Sequence, residues 1–337
     1  MIITQSPFIS NSALVLVALL AFSPPAPANE QSATDYREHP GFDAFASRIE
    51  KQGFTRAELM NIFEGVARQQ KIIDAISRPA ESKDWHEYEP IFLTEARIQA
   101  GVEFWNEHAD ILARAEREFG VDQEIIVAII GVETFYGRIT GSWRVIDALS
   151  TLGFDYAPRS PFFVKELEHF LLLAREETID PQSVSGSYAG AMGGGQFMPS
   201  SYREYAVDFD NDGKRDLWNS WADVIGSVAA YLSRHGWKHA EVVALPAALP
   251  ENATAPLQQQ GMQKFRAGEL RKQGLVFSDG VNNDAEVRLV ALQGQDGLSY
   301  WLGLHNFGVI NRYNRSALYA MAAIDLGNAI RKARRPE

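Results

Sequence analysis

The chain has no cysteine among its 337 residues. That excludes a disulfide framework, a thiolate zinc site, an iron–sulfur cluster, a cysteine nucleophile and a lipid-modified cysteine anchor. Positive charge is also in short supply. With 32 Lys and Arg against 43 Asp and Glu the formal balance is −11, so no global positive field draws the chain to nucleic acid. The N-terminal apolar run, Ala13 to Phe22, is only ten residues long. That is about half of what a helix needs to cross roughly 30 Å of hydrocarbon, so no membrane anchor is expected. The small residues Ala26 and Ala28 behind it suit an A-x-A cleavage site. We expect a signal peptide over residues 1–28 and an exported, soluble chain starting near Asn29, although Met1 to Ser12 carry no Lys or Arg.

What remains is a folded globular composition, 46% hydrophobic, 22% charged and 11% aromatic. The length suggests two or three domains at about 150 residues each. From Pro40 to Ala174 the apolar spacing is helical, with segments such as Phe42 to Gln52, Arg56 to Ala67, Glu95 to Phe119 and Asp122 to Glu133. A glycine-rich stretch, Asp180 to Pro199, interrupts the helices before they resume over Ser200 to Val207 and Ser220 to His235. Prolines at 246, 250 and 256 then break the pattern, and Glu286 to Leu292 and Leu298 to Leu304 read as short strands. A last helix spans Ser316 to Arg334. The fold class expected is mainly α with a small β component.

Helix Asp122 to Glu133 is apolar on nearly every face and should run through the core. Glu133 shares a face with Ile129 and Ile130 at the helix C-terminus. Burial and the negative helix pole both raise a carboxyl pKa, which is what a general acid for glycosidic cleavage requires. A structural glutamate bonded to an arginine or to loop amides fits the same pattern. The run Ser187 to Ser200 lacks the spacing of a phosphate-binding loop. Its glycines let the backbone approach a flat ligand, with Ser187 and Gln196 able to bond hydroxyl or acetamido groups, or they serve a tight connection between helices.

Asp208, Asp210, Asp212 and Asp216 occupy positions 1, 3, 5 and 9 of an EF-hand-type loop over residues 208–219, with Gly213 at position 6 and Lys214 at position 7. Position 12 is Asn219, and Asp223 is a candidate for the missing carboxylate. Ser220-x-x-Asp223 also reads as a capping box. Structural Ca²⁺ is expected here, and no organic cofactor. His235 and His239 have metal-helix spacing, but Gly236 interrupts them and no H-E-x-x-H is present. No G-x-S-x-G appears either.

The segments Gly131 to Gly137, Gly186 to Gly193, Gln196 to Tyr202, Asp212-Gly213 with Asp216 to Asn219, Ile225 to Val228 and Asn311 to Asn314 closely resemble the membrane-bound lytic murein transglycosylase B family. The resemblance runs from about Pro40 to Ala333. It implies a lysozyme-like catalytic core over residues 121–240, an added helical domain at 29–120, a small β-containing domain at 241–305 and a helical segment at 306–337 completing the core. It also implies cleavage of the MurNAc-GlcNAc β-1,4 bond of peptidoglycan with a 1,6-anhydromuramoyl product. By position, Glu133 matches the acid/base, and Tyr88, Ser187, Gln196, Tyr313, Asn314 and Tyr319 match the sugar groove. Two departures stand out. Gly194-Gly195 replaces a bulkier or polar residue before the loop glutamine, and the missing cysteine makes this a soluble form where several members are lipoproteins.

No second carboxylate stands out. Asp147, Asp155 and Glu166 read as cap or salt-bridge residues. One acid suffices if the substrate's 2-acetamido group supplies the nucleophile, the substrate-assisted exception among glycosidases. The expected protein is a periplasmic monomer acting on peptidoglycan strands, with cell-wall synthesis enzymes as partners. Two rivals are a muramidase of the same fold that uses water and a non-catalytic peptidoglycan-binding scaffold. A buried acid gives a mere binder nothing.

Overall fold

The structure is a computed structural model that describes residues 35–77, 83–249 and 260–334. The expected signal segment, 1–28, lies outside the described residues. In chain order the helices are α1 (Phe42–Glu50), α2 (Arg56–Ile62), α3 (Gln70–Ile76), α4 (Trp85–Phe92), α5 (Glu95–Glu107), α6 (Ala109–Phe119) and α7 (Gln123–Thr134). They continue with α8 (Val145–Asp155), α9 (Ser160–Glu176), α10 (Pro199–Tyr205), α11 (Trp221–Arg234), α12 (Ala267–Lys272), α13 (His305–Tyr313) and α14 (Ala317–Arg334). The strands are β1 (Trp143–Arg144), β2 (Ser185–Gly186), β3 (Ala244–Ala247), β4 (Gly261–Arg266), β5 (Glu286–Gly294) and β6 (Gly297–Gly303). Among the described residues no helix is long and apolar enough to cross a membrane.

Local signals in the sequence set most of these ends. Thr55 and Glu58 close a reciprocal capping box on α2, Thr94 accepts the Arg97 amide at the start of α5, and Gly120 ends α6 in the left-handed region at φ 67°. The helix expected over Glu95 to Phe119 is two helices. His108 leaves helical geometry at φ −109°, ψ 23°, and its ring packs on Phe104 and Trp221 at 4.5 and 5.9 Å. Helix α2 stops short of Ala67 because Gly65 turns left-handed at φ 67°.

One apolar interior runs from α1 to α14. Helix α7 lies within it, with Ile125 to Val132 all buried, and α14, α5 and α11 pack against it. The antiparallel sheet β3-β6-β5-β4 is a separate small layer. Its edge strand β3 falls in the proline-broken stretch, where the sequence pattern predicts no strand. Pro246 is tolerated there because an edge position needs no second ladder bond. Strand β5 buries Val287 and Leu289 with α12 and turns Val290 and Leu292 to the main core, the two faces of one alternation.

Packing against α7 is close at Gly131, where a Cβ would lie 2.5 Å from the Tyr136 hydroxyl. The same hydroxyl would meet a Cβ on Gly101 at 2.4 Å, so the ring has nowhere to retreat. We expect Gly131→Ala to destabilise the fold by about 1–3 kcal/mol through overpacking. Urea unfolding of parent and variant measures this directly.

Candidate active site

Helix α7 ends in a sequence of left-handed residues that an apolar segment rarely adopts. Phe135 and Tyr136 have φ of 50° and 57°, followed by Gly137 at 82°. The Phe135 ring lies between two guanidinium groups, Arg97 at 4.7 Å and Arg138 at 4.8 Å. Glu133 sits just before this turn, partly exposed at the residue level while its carboxyl group is desolvated. Burial pushes its pKa up to about 8, and a hydrogen bond from Tyr319 opposes the shift in part. The Tyr319 hydroxyl donates to Glu133 Oε1 at 2.7 Å.

The glycine-rich segment folds back on itself through bridges between Gly186 and Met192 and between Met192 and Phe197. Gln196 is itself left-handed at φ 51°, and its amide Nε2 donates to Thr140 O at 3.0 Å and Gly193 O at 3.1 Å. Ser187 Oγ accepts the amides of Ala191 and Ala189 at 3.0 and 3.3 Å. Tyr313 Oη donates to Gly195 O at 2.6 Å. Burial first, and then Glu133, Tyr313 and Tyr88, raise the Tyr319 pKa well above 10, so these four side chains share one neighbourhood. Asn314 is buried one residue beyond Tyr313, its Oδ1 accepting the Ser316 amide at 3.2 Å.

The structure thus gathers Glu133, Tyr88, Tyr313 and Tyr319. It joins Gln196 to them through the glycine loop. Ser187 and Asn314 hold the adjoining backbone, Ser187 through the Ala189 and Ala191 amides and Asn314 through the Ser316 amide. A cavity of about 100 Å³ opens beside Gln196 and Tyr313, walled by Phe162, Met198 and Tyr231. Sequence reasoning missed Phe162, Tyr231 and Thr134. The first two look like ordinary core residues in a helical pattern, and a threonine after a glutamate carries no signal of its own.

The three carboxylates set aside as structural are all engaged. Asp147 takes two bonds from Arg144 at 2.7 and 2.9 Å, Asp155 accepts the Tyr36 hydroxyl, and Glu166 accepts the Ser200 amide and hydroxyl at 2.9 and 2.7 Å. His235 Nδ1 bonds Tyr231 O at 2.7 Å while His239 faces Asp122 at 3.3 Å, so the two histidines serve different partners.

In the acidic loop, Asp208, Asp210 and Asp212 each bring a carboxylate oxygen within 4.8 Å of the others. Gly213 turns there at φ 92°. The other expected ligands make hydrogen bonds of their own. Asp223 accepts the amides of Phe209 at 2.6 Å and Asp216 at 2.8 Å, so both its oxygens brace the two ends of the loop. Asp216 accepts the amides of Trp218 and Asn219, each at 2.9 Å, and stands outside the group of three. Lys214 donates its amide to Asp212 Oδ1 at 2.9 Å. Ser220 Oγ accepts the Asp223 amide at 3.2 Å, which is the capping alternative.

Residues 37–328 match the transglycosylase SLT domain family. The chain belongs to that family. It is 42% identical over 316 residues to membrane-bound lytic murein transglycosylase B of Escherichia coli, covering 90% of this chain and 86% of that protein. Lytic transglycosylase SltB1 of Pseudomonas aeruginosa is 53% identical with a TM-score of 0.85, over 89% of this chain and all of that one, or 100%. The E. coli lytic transglycosylase Slt35, solved in complex with calcium, is 42% identical with a TM-score of 0.81, over 90% and 96% of the two chains. The mainly helical, lysozyme-like fold expected from the sequence is the fold of these relatives.

The raised pKa has a consequence for stability. A carboxyl that ionises near 8 in the folded chain but near 4.5 when unfolded costs the fold nothing below 4.5, increasingly more between, and most above 8. Glu133→Gln removes a charge that cannot be solvated. The variant should therefore melt higher than the parent above pH 8, with the difference shrinking as pH falls toward 4.5. Melting curves across that range test the sign.

Proposed function

We propose that this protein is a lytic transglycosylase that cleaves the MurNAc-GlcNAc β-1,4 bond of peptidoglycan and leaves a 1,6-anhydromuramoyl end. Family membership supports the reaction class. The observation that carries the residue assignment is the Glu133 carboxyl, desolvated with a pKa of about 8 and held by Tyr319 at 2.7 Å. Protonated at neutral pH, it is matched to donating a proton to the leaving glycosidic oxygen. Tyr319 occupies Oε1, which leaves Oε2 to carry the acid proton. As the bond breaks, the 2-acetamido oxygen of MurNAc traps the developing cation at C1, so no protein nucleophile is needed. Glu133, now a carboxylate, takes the proton of the muramoyl C6 hydroxyl, whose oxygen displaces the acetamido group and closes the anhydro ring without water. Tyr88, Gln196, Tyr313 and Asn314, with Ser187 behind the loop, form the groove wall for the sugars. Asp147 is held by Arg144, Asp155 by Tyr36, and Glu166, beside the Gln196 cavity, by the Ser200 amide and hydroxyl, which supports a single-carboxylate mechanism.

Asp208, Asp210 and Asp212 supply the hard oxygen donors that suit Ca²⁺, and the Slt35–calcium complex supports a structural ion here. The composition and the short N-terminal apolar run support an exported, soluble periplasmic protein.

Glu133→Gln should abolish anhydromuropeptide release from purified sacculi by more than the 10²- to 10⁴-fold typical of one general acid, about 10⁴-fold or beyond. A folded variant releasing anhydromuropeptides within about tenfold of the parent rate would remove Glu133 from the acid role. Reducing muramic ends in place of anhydro ends would indicate a hydrolase.

Calcium should raise the melting temperature of the parent by binding only the native loop. In the double variant Asp208→Ala, Asp210→Ala that response should vanish. A calcium response that persists undiminished would mean the ion binds elsewhere.

A further inference from the structure

Thr134 follows the acid directly and is fully buried at 0% exposure. Its hydroxyl has three partners. It shares its hydrogen between Ile130 O at 3.1 Å and Gly194 O at 3.0 Å, and it accepts the Gly137 amide at 3.0 Å. The bond to residue i−4 is common for a helical threonine and says little by itself. The bond to Gly194 is different, because it crosses 60 positions of chain to the glycine loop. Gly194 is held from its other side as well, its amide donating to Leu217 O at 2.8 Å. On either side of it, Gly193 O receives Gln196 Nε2 at 3.1 Å and Gly195 O receives Tyr313 Oη at 2.6 Å. One hydroxyl therefore ties together the last turn of α7, the left-handed turn after it and the loop that carries Gln196.

We propose that Thr134 is a positioning residue for the general acid, its hydroxyl fixing the Glu133 turn against Gly194 so that the acid and the groove wall form one rigid unit. The Thr134 hydroxyl bonds backbone groups, while the Glu133 carboxyl is held by Tyr319. Its effect is on geometry, and a displacement of about 1 Å between acid and leaving oxygen is enough to cost on the order of 100-fold in rate. This inference rests on Glu133 being the acid.

The test compares Thr134→Val, which keeps shape and loses the hydroxyl, with Thr134→Ser, which keeps the hydroxyl. Thr134→Ala serves as a second hydroxyl-free variant that places no methyl against the Gly194 carbonyl. Release of anhydro product from soluble, uncrosslinked peptidoglycan is measured well below each variant's own melting temperature. We expect kcat to fall about tenfold or more in the valine and alanine variants, with KM changed less than about threefold, because a misplaced acid weakens a proton transfer that is felt only in the transition state. Serine should return kcat to within about threefold of the parent. The basic limb of the pH–rate profile should stay near 8 in every variant, since the desolvation of Glu133 is untouched. Parent-like kcat in both hydroxyl-free variants, failure of serine to restore it, or a change confined to KM would each overturn the proposal. If Glu133→Gln is itself active, the underlying reading has failed. If Glu133→Gln is inactive while Thr134→Val turns over like the parent, only the positioning role has failed.

Discussion

A carboxyl group kept from water at the negative pole of its own helix is costly to ionise, and the surrounding elements serve to keep it there. Ile125 to Val132 give α7 no polar face, so the helix is stable only when other helices cover it on all sides. Helices α14, α5 and α11 provide that cover, and two of them also bring a residue to the site or to its wall. Tyr319 comes from α14 and bonds the acid, while Tyr231 of α11 lines the adjoining cavity. Packing and chemistry are thus one arrangement. The apolar contacts that stabilise the core are the same contacts that desolvate Glu133.

The glycine loop shows how a segment with little side-chain material is made rigid. Gly193 turns at φ 69° where a Cβ would lie 2.4 Å from Leu217 O, and a Cβ on Gly194 would meet Trp221 at 2.9 Å. Small residues let the loop approach the helices this closely. The lost rigidity is recovered through the carbonyls. Those of Gly193, Gly194 and Gly195 receive hydrogen bonds from Gln196, Thr134 and Tyr313 respectively. The two glycines before Gln196 therefore do not leave the loop slack.

Glu133 was legible because helical spacing alone puts it beside Ile129 and Ile130, and because a helix without a polar face has to be interior. The acidic loop was legible only in part. Its residue types fit an EF-hand spacing, but spacing does not say which carboxylates converge, and only Asp208, Asp210 and Asp212 bring oxygens together while Asp223 braces the loop ends. His108 splits a continuous helical pattern because its ring finds Phe104 and Trp221, a tertiary contact invisible to local periodicity. Strand β3 escaped notice for a related reason. Proline argues against a strand in general but not at a sheet edge, and the edge is decided by residues 40 or more positions further on, where Pro246 pairs with Trp301.

Hydrogen bonds also join the acidic loop to α7 in sequence. Asp223 braces the Asp216 amide, the next residue's carbonyl, Leu217 O, accepts the Gly194 amide at 2.8 Å, and Gly194 O accepts the Thr134 hydroxyl beside the acid. A loop whose carboxylates repel one another has to be stabilised by amide donors or by a cation. Here the amides of Asp212 and Gly213 already fold back onto Asp208 at 3.1 and 2.9 Å, and Ser220 Oγ bonds Asp210 at 2.6 Å. Leu217 itself is buried at 1% exposure, anchored in the core apart from the loop tip, where Asp210 and Asp212 are exposed and Asp208 is half-buried. Ordering of that tip and placement of the acid therefore meet at a buried, already satisfied peptide, which is the physical reason to assign a cation at the tip to stability and to look for control of the chemistry at Thr134.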